Sequence, residues 1–218
     1  MLEWWTYRPS DFLMFLPRTY YRLFELYNAD VWPLQIVMIA TGLAALFLVW
    51  RGAHGRIVAI GLAAAWMFAA WAYHFERYAT ISTGAPHFAA GFAMQALLLA
   101  WCAVRSDGLH FDPQPSPVRW TGLALLAAGV ALYPVLAPLF GRPWTQAEIV
   151  GIAPDPTAVA TIGALLLAKG RIAWLVALPL IWCAVTALTL WTMEAPDAVV
   201  PASAFVLGAA LAVWRQRQ

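Results

Sequence analysis

Residues 32–50 read WPLQIVMIATGLAALFLVW and contain no charged side chain. An α-helix rises about 1.5 Å per residue, so this stretch would span about 28 Å, close to the hydrocarbon thickness of a bilayer. Tryptophan stands at both ends, as Trp32 and Trp50, which is typical of helix ends at a membrane–water interface. The stretch therefore predicts a transmembrane helix.

The whole chain is also rich in apolar residues and poor in charged ones. Of its 218 residues, 63% are apolar and only 11% are charged. Soluble domains carry about 25% charged and roughly 45–50% apolar residues. A water-soluble enzyme, a nucleic-acid-binding protein and a disordered chain are therefore excluded. The composition predicts an all-α, polytopic transmembrane helix bundle.

Short breaks marked by Arg, Gly, Pro or Asp divide the chain into about seven apolar spans. The fifth span would reach only about 24 Å, so a re-entrant segment and a six-span topology remain the alternative. Pro134 and Pro138 predict a kink in the fourth span. The predicted spans are 32–50, 57–73, 86–104, 120–140, 153–168, 172–191 and 199–214.

The N-terminal segment, residues 1–31, is predicted to be amphipathic and to lie at the membrane interface, ahead of the transmembrane bundle of residues 32–218. We expect a helix over 10–27, capped by Ser10, with Tyr20, Leu23 and Tyr27 on its apolar face. Pro17 is expected to break it early. This helix would either anchor the chain beside the first span or act as a lid over an outward-facing site.

Basic residues predict the orientation of the chain. Four segments (51–56, 105–119, 169–171 and 215–218) hold eight Arg or Lys residues, and the segments on the opposite side hold five. By the positive-inside rule, the N-terminus is expected outside and the C-terminus in the cytoplasm. A six-span topology would instead place both termini inside.

Polar residues gather at the predicted outer end, where four separate segments contribute His, carboxylate or amide groups. Because polar groups at membrane depth are costly, such a convergence predicts a binding site. Gln95 alone lies halfway along a span, where an interhelical hydrogen bond is the alternative role. The string 154–157, PDPT, is either a ligand-facing turn or a stiff connection. The predicted ligand-binding residues are Asn28, Trp32, Gln35, His74, Gln95, Asp155 and Thr157, with Trp144 as a further wall.

Cofactor motifs are missing from the sequence. We find no haem-attachment, nucleotide or dinucleotide pattern. A retinal Schiff base needs a lysine within a helix, and the one lysine, Lys169, lies in a predicted turn. The candidate metal ligands, without a diagnostic spacing, are His74, Glu76, His87 and Asp155. Cys102 and Cys183 both fall in apolar stretches and are expected to be core residues.

Three segments resemble an uncharacterised bacterial family of multi-spanning proteins, domain-of-unknown-function family 6064. They are 27–35, with Tyr27-Asn28 and Val31-Trp32-Pro33; 74–98, with His74-Phe75 and Gln95-Ala96-Leu97-Leu98; and 151–167, which begins Gly151-Ile152-Ala153-Pro154. The chain departs from that pattern at Asp155, where the family usually has Cys, and near Ser82-Thr83, where it tends to have Asn-Pro. The resemblance implies a shared pattern of polar positions and a bacterial inner-membrane location, and it brings no activity with it.

Three functions are compatible with these observations. The first is binding of a small solute or ion in an outward-facing polar pocket, with transport of that ligand as an extension of this function. The second is a structural or assembly subunit that docks a membrane partner through an aromatic patch around Trp4, Trp5 and Trp144. The third is a metal-dependent membrane enzyme. The lipid bilayer is the expected surrounding, and no nucleic-acid partner is expected because no basic run occurs.

Overall fold

Apolar helices make up most of the chain in the computed structural model, which describes residues 13–105, 108–111, 113–170 and 173–216. Short π-helical segments, Ala69–Phe75 and Ala128–Leu132, extend α3 and join α5 to α6. The predicted all-α bundle is confirmed. The α-helices are α1 Pro17–Asp30, α2 Leu34–Trp50, α3 Gly55–Phe68, α4 Ala85–Val104, α5 Pro117–Ala127, α6 Tyr133–Leu139, α7 Pro154–Leu167, α8 Ala173–Thr192 and α9 Val199–Gln216.

We call the end of the bundle that carries α1 the upper end, and the end that carries the C-terminus of α9 the lower end. Within the described residues, five helical segments are long and apolar enough to cross a membrane. The other two passes between the ends are α2, with 17 residues, and α7, with 14. The path is compatible with the predicted count of about seven spans.

Exposed tryptophans mark the two ends of the bundle. Their indole rings lie on the outer surface at helix ends, where an amphipathic ring can sit between hydrocarbon and water. Two such belts are what a membrane-embedded bundle requires. The upper belt contains Trp32, Trp71, Trp144 and Trp191, and the lower belt contains Trp50, Trp101, Trp120, Trp174 and Trp214.

The centre of the bundle is α7, in which every residue is buried. It packs against α3, α5, α8 and α9. A Cβ atom on Gly163 would lie 2.4 Å from the backbone nitrogen of Leu126, so α5 and α7 meet backbone to backbone. At about 21 Å, α7 is shorter than a bilayer is thick. Its N-terminus begins inside the bundle, because residues 147–153, which precede it, are all buried.

The fourth predicted span contains a π-helical segment before Pro134 rather than a simple kink. Proline has no N–H to bond the carbonyl four residues earlier, which here is that of Val130. The wider turn of Ala128–Leu132 accommodates this loss. The same segment brings Gly129 against α7, where a Cβ atom would lie 2.6 Å from the carbonyl oxygen of Pro156.

Helix α1 lies across the upper end and makes an angle of 94° with α2. Its buried face consists of Tyr20, Leu23, Phe24 and Tyr27. Proline occupies its first turn, because the missing N–H is not needed there, so Pro17 begins the helix rather than breaking it. The predicted cap, Ser10, lies outside the described residues.

The lower end is closed by paired polar groups. Arg119 donates to the carbonyl of Trp50 at 2.6 Å, and Arg215 donates to the carbonyls of Leu166 and Ala168 at 2.8 and 2.6 Å. These guanidinium groups satisfy carbonyls at the C-terminal ends of α2 and α7, where positive charge is favourable. Residues 108–111 lie beside the C-terminal end of α7, where the buried Phe111 pairs with Ala168.

Candidate functional site

Asp155 stands in the first turn of α7, where the helix dipole favours a carboxylate. Its Oδ1 accepts two hydrogen bonds from α8, from Trp182 Nε1 at 2.7 Å and from Thr186 Oγ1 at 2.9 Å. The side chain is almost fully buried. The aspartate therefore lies at a helix–helix contact inside the bundle, held by two donors.

His74 lies on the other side of the Trp182 ring. The centroids of the imidazole and indole rings are 4.9 Å apart, and Phe92 packs on the same imidazole at 4.4 Å. The histidine is fully buried, and neither ring nitrogen has a hydrogen-bond partner among the described residues. Trp182 thus connects the two residues on which the predicted site most depends, His74 and Asp155.

A buried ionic cluster lies on the upper side of Asp155. Arg142 Nη2 is 2.7 Å from Asp197 Oδ2 and 3.9 Å from Glu148 Oε1. Tyr21, on α1, donates to Asp197 Oδ1 at 3.1 Å, and the guanidinium carbon of Arg142 lies 4.1 Å from the centroid of the Tyr21 ring. Helix α1 is therefore tied to this cluster by a hydrogen bond and a cation–π contact.

Glu148 is the least stabilised acid of this cluster. Burial raises the pKa of its carboxyl well above the ordinary value, the charge of Asp155 raises it further, and Arg142 only partly offsets them. Its Oε2 has no hydrogen-bond partner in the described residues, and the same holds for Nε and Nη1 of Arg142. Glu148 and Asp155 thus act on each other through their charges, and Glu148 retains a proton more readily than a solvated glutamate.

Asn28 and Gln35 form a separate clamp at the upper end. Asn28 Nδ2 donates to the carbonyls of Thr145 and Ala147 at 2.9 and 2.8 Å, and Gln35 Nε2 donates to the carbonyl of Asn28 at 2.7 Å. These bonds fasten the end of α1 to the connection between α6 and α7. That connection carries Glu148, so the clamp positions the ionic cluster.

Gln95 is placed apart from that cluster and bonds within the bundle. Its Nε2 donates to the carbonyl of Leu175 at 3.0 Å. That carbonyl would normally bond the N–H four residues later, which Pro179 lacks. Gln95 therefore satisfies a group released by a proline, which agrees with an interhelical hydrogen bond.

Thr157 stabilises the turn that begins α7. Its hydroxyl accepts from the N–H of Gly151 at 2.8 Å and donates to the carbonyl of Ala153 at 2.7 Å. Gly151 has a φ of +81°, which favours glycine, and a Cβ there would lie 2.8 Å from Met38 Sδ. Thr157 thus holds the turn that presents Asp155, and its hydroxyl is fully engaged in doing so.

Four predicted residues have exposed side chains. The rings of Trp32 and Trp144 are 65% and 63% exposed, so they belong to the upper tryptophan belt. Glu76 and His87 are exposed as well, whereas His74 and Asp155 are buried. Among the described residues, no three His, Cys, Asp or Glu side chains come together as metal ligands. The set proposed for a metal is therefore divided between surface and interior.

The site residues and the helices that hold them fall within one family match. A family model described as a family of unknown function, DUF6064, matches residues 18–218. The chain belongs to DUF6064. No curated protein matches the chain, and no solved structure matches it. The family match covers α1 from its second residue onward and every residue of the ionic cluster, and the family description assigns no function to them.

Sequence reasoning missed several residues of the site in this DUF6064 protein. Trp182 and Thr186 come from the middle of an apolar span, and Tyr21 lies beside the predicted apolar face of α1. The i, i+4 spacing of Trp182 and Thr186 places both on one face of α8, but only the fold shows that this face meets Asp155. Arg142 was visible as an isolated basic residue on the predicted outer side, without a partner to suggest its role.

Proposed function

We propose that this membrane protein binds a small cation, the proton included, at the upper end of the bundle and moves it across the bilayer. One observation carries the proposal. The ionic cluster and the neighbouring Asp155 together contain three buried carboxyl groups, those of Glu148, Asp155 and Asp197, and among the described residues they contain one guanidinium, that of Arg142.

An uncompensated buried charge is expensive, and the group either changes its protonation or acquires a counter-charge. Arg142 neutralises Asp197, with which it makes the closest contact. Asp155 and Glu148 are left with neutral donors or a distant charge. A proton or a small cation would complete the balance, and ionisable groups inside membrane proteins are typical of ion pathways.

The neighbouring groups are suited to passing a cation onward. His74 offers neutral ring nitrogens that have no hydrogen-bond partner among the described residues, and its ring packs on the indole that bonds Asp155. On the upper side, Tyr21 places α1 over Asp197. We therefore infer that α1 controls access from the upper surface, which the distribution of basic residues predicts to be the outer one.

The test is ion flux into proteoliposomes. With an internal pH dye and an imposed potassium diffusion potential, the wild-type protein should acidify the lumen faster than protein-free vesicles. Asp155→Asn keeps an oxygen for Trp182 and Thr186 but removes the charge, and it should lower the flux at least tenfold. The matched control is Asp30→Asn, an exposed carboxylate of the upper end that pairs with Arg77 and should leave the flux unchanged.

Sodium and potassium gradients with the corresponding ion dyes extend the same measurement to metal cations. A wild-type protein that passes no proton, sodium or potassium faster than empty vesicles would contradict the proposal. Equal flux in wild type and Asp155→Asn would contradict the assignment of the site.

A second function, that of an assembly subunit, is supported by the exposure of Trp144. Its ring lies in a short 3-10 segment directly beside the clamp formed by Asn28. The other residues of the predicted aromatic patch, Trp4 and Trp5, lie outside the described residues. Co-purification of a stoichiometric membrane partner that Trp144→Ser releases would favour this function over cation binding.

A further inference from the structure

A groove of about 220 Å³ runs along the side of the bundle, and none of Arg142, Glu148, Asp155 or Asp197 is among its lining residues. Its walls are α2 and α3, and α7 and the turn before it form its floor. Small residues make the space, among them Ala45, Gly61, Ala65 and Ala160, and nearly all of its lining is apolar. A Cβ atom added to Gly61 would contact nothing within 4 Å.

The groove follows α2 from Met38 to Leu48, which corresponds to a length of about 15 Å. Its lower mouth, at Leu48 and Ile57, adjoins the short α2–α3 connection. Arg51 stands in that connection and Arg56 in the first turn of α3, both with exposed side chains. The apolar groove thus ends beside two cationic groups. A phospholipid requires this arrangement, with space for an acyl chain next to positive charge for its phosphate.

The charge of the lower end has the matching sign. Six basic residues of the described chain stand in the segments 51–56, 105–119, 169–171 and 215–218, whose two acidic residues are Asp107 and Asp112. Those two aspartates lie outside the described residues, and even full pairing with them would leave an excess of positive charge. The groove is also only about 15 Å long and lies between two helices, whereas a specific protein interface buries about 800 Å² on each partner.

We propose that the α2–α3 groove is a binding site for an anionic phospholipid of the lower leaflet. One acyl chain lies in the groove beside Gly61, and the phosphate lies between Arg51 and Arg56. The proposal is independent of cation binding at the upper end.

The experiment uses the full-length protein in mild detergent, with dioleoyl-phosphatidylglycerol and dioleoyl-phosphatidylcholine as probes. Bound lipid is counted by native mass spectrometry, and thermal stability is measured in parallel. Wild-type protein should retain phosphatidylglycerol at least tenfold more tightly than phosphatidylcholine, and Tm should rise by several degrees more with the anionic lipid.

Gly61→Leu would fill the groove and should abolish both responses. Its matched control is Gly91→Leu, because Gly91 is also a helical glycine at which a Cβ meets nothing within 4 Å, and it lies on α4 away from the groove. Gly91→Leu should behave as wild type. Retention of the phosphatidylglycerol response in Gly61→Leu would overturn the acyl-chain site.

A double variant on the protein surface keeps the proposal testable should Gly61→Leu fail to fold. Arg51→Gln with Arg56→Gln should reduce phosphatidylglycerol binding to the phosphatidylcholine level, and Arg18→Gln with Arg22→Gln, at the upper end, should not. Equal binding of the two lipids by wild type, or a concentration-dependent dimer that excludes lipid, would overturn the anionic phospholipid as occupant.

Discussion

The two ends of this bundle bury arginine in opposite ways. At the lower end, Arg119 and Arg215 donate to backbone carbonyls at helix C-termini. At the upper end, Arg142 meets carboxyl groups, and two of its nitrogens have no partner in the described part of the chain. The lower end therefore has the arrangement of a structural cap, whereas the upper end combines an unequal charge balance with unsatisfied atoms. This difference supports the proposal that the cation site lies at the upper end.

The largest expected effect comes from removing the upper cation. Arg142→Gln leaves Asp197 and Glu148 buried without compensation and should lower the free energy of unfolding by about 3–5 kcal/mol. The loss should be larger at pH 8 than at pH 5, because burial raises the pKa of the Glu148 carboxyl, which is therefore ionised less at pH 5. Unfolding in detergent, followed by circular dichroism, measures both effects.

The control for that prediction is the double variant Arg142→Gln with Asp197→Asn. It removes the pair together and should recover a large part of the stability. If the double variant is as unstable as Arg142→Gln alone, the arginine stabilises the fold through the packing of its side chain rather than through its charge.

The lower end should respond less and without pH dependence. Arg215→Gln removes charged hydrogen bonds to the carbonyls of Leu166 and Ala168 and should cost about 2 kcal/mol of unfolding free energy. The cost should be the same at pH 5 and pH 8, because neither partner titrates in that range. Arg18→Gln, an exposed arginine, is the control, and a pH-dependent loss in Arg215→Gln would remove the contrast between the ends.

Glu148 should give the upper end its pH profile. The folded-state pKa is raised, so the folded protein holds the proton more tightly than the unfolded chain. The free energy of unfolding of the wild type therefore falls as pH rises above about 4.5, the ordinary pKa of glutamate. The fall ends once the Glu148 carboxyl of the folded protein is ionised as well. Each pKa unit between the two states corresponds to about 1.4 kcal/mol.

Glu148→Gln cannot ionise, so its stability should fall less than that of the wild type as pH rises, and the two curves should meet at low pH. Parallel thermal unfolding from pH 4 to pH 9 measures this. If the wild type instead gains stability relative to Glu148→Gln as pH rises, the charge of Arg142 lowers the pKa of Glu148 by more than burial raises it.

The smallest effect on stability is expected at His74. Its ring nitrogens lack partners among the described residues, so His74→Phe should change the free energy of unfolding by no more than about 1.5 kcal/mol. The same variant should abolish the proposed cation flux. A loss of more than about 3 kcal/mol would indicate that the imidazole is a structural member of the core, and the upper end would then resemble the lower one.

Hydropathy alone located the helices of the bundle closely. The predicted spans 86–104 and 153–168 differ by one residue at most from Ala85–Val104 and Pro154–Leu167. The length of an apolar run and the tryptophans at its ends can be read locally from the sequence. In a bilayer these properties set where a helix begins and ends. The start of α1 was not predicted correctly, because a proline in the first turn of a helix has the same local sequence as one that ends it.

The candidate site was predicted in part. His74 and Asp155 were chosen because polar residues are rare in this sequence, and Trp182 brings them together in the fold. The sequence also predicted Trp32 and Gln95 as ligand-binding residues. In the fold, Trp32 lies in the upper tryptophan belt, and Gln95 donates to the carbonyl of Leu175. Helix faces and neighbours decide such assignments, and no single span contains that information.

The amino-acid sequence determined that this protein is a membrane-embedded helix bundle and where its helices run, since the apolar content of each segment fixes its transfer into the bilayer. Only the tertiary structure decided which polar groups meet. The arrangement of α7 at the centre, with Asp155 against α8 and Glu148 beside Arg142, depends on close contacts between helices far apart in the chain. Those contacts are set by shape and by glycines such as Gly163, which allow α5 and α7 to approach.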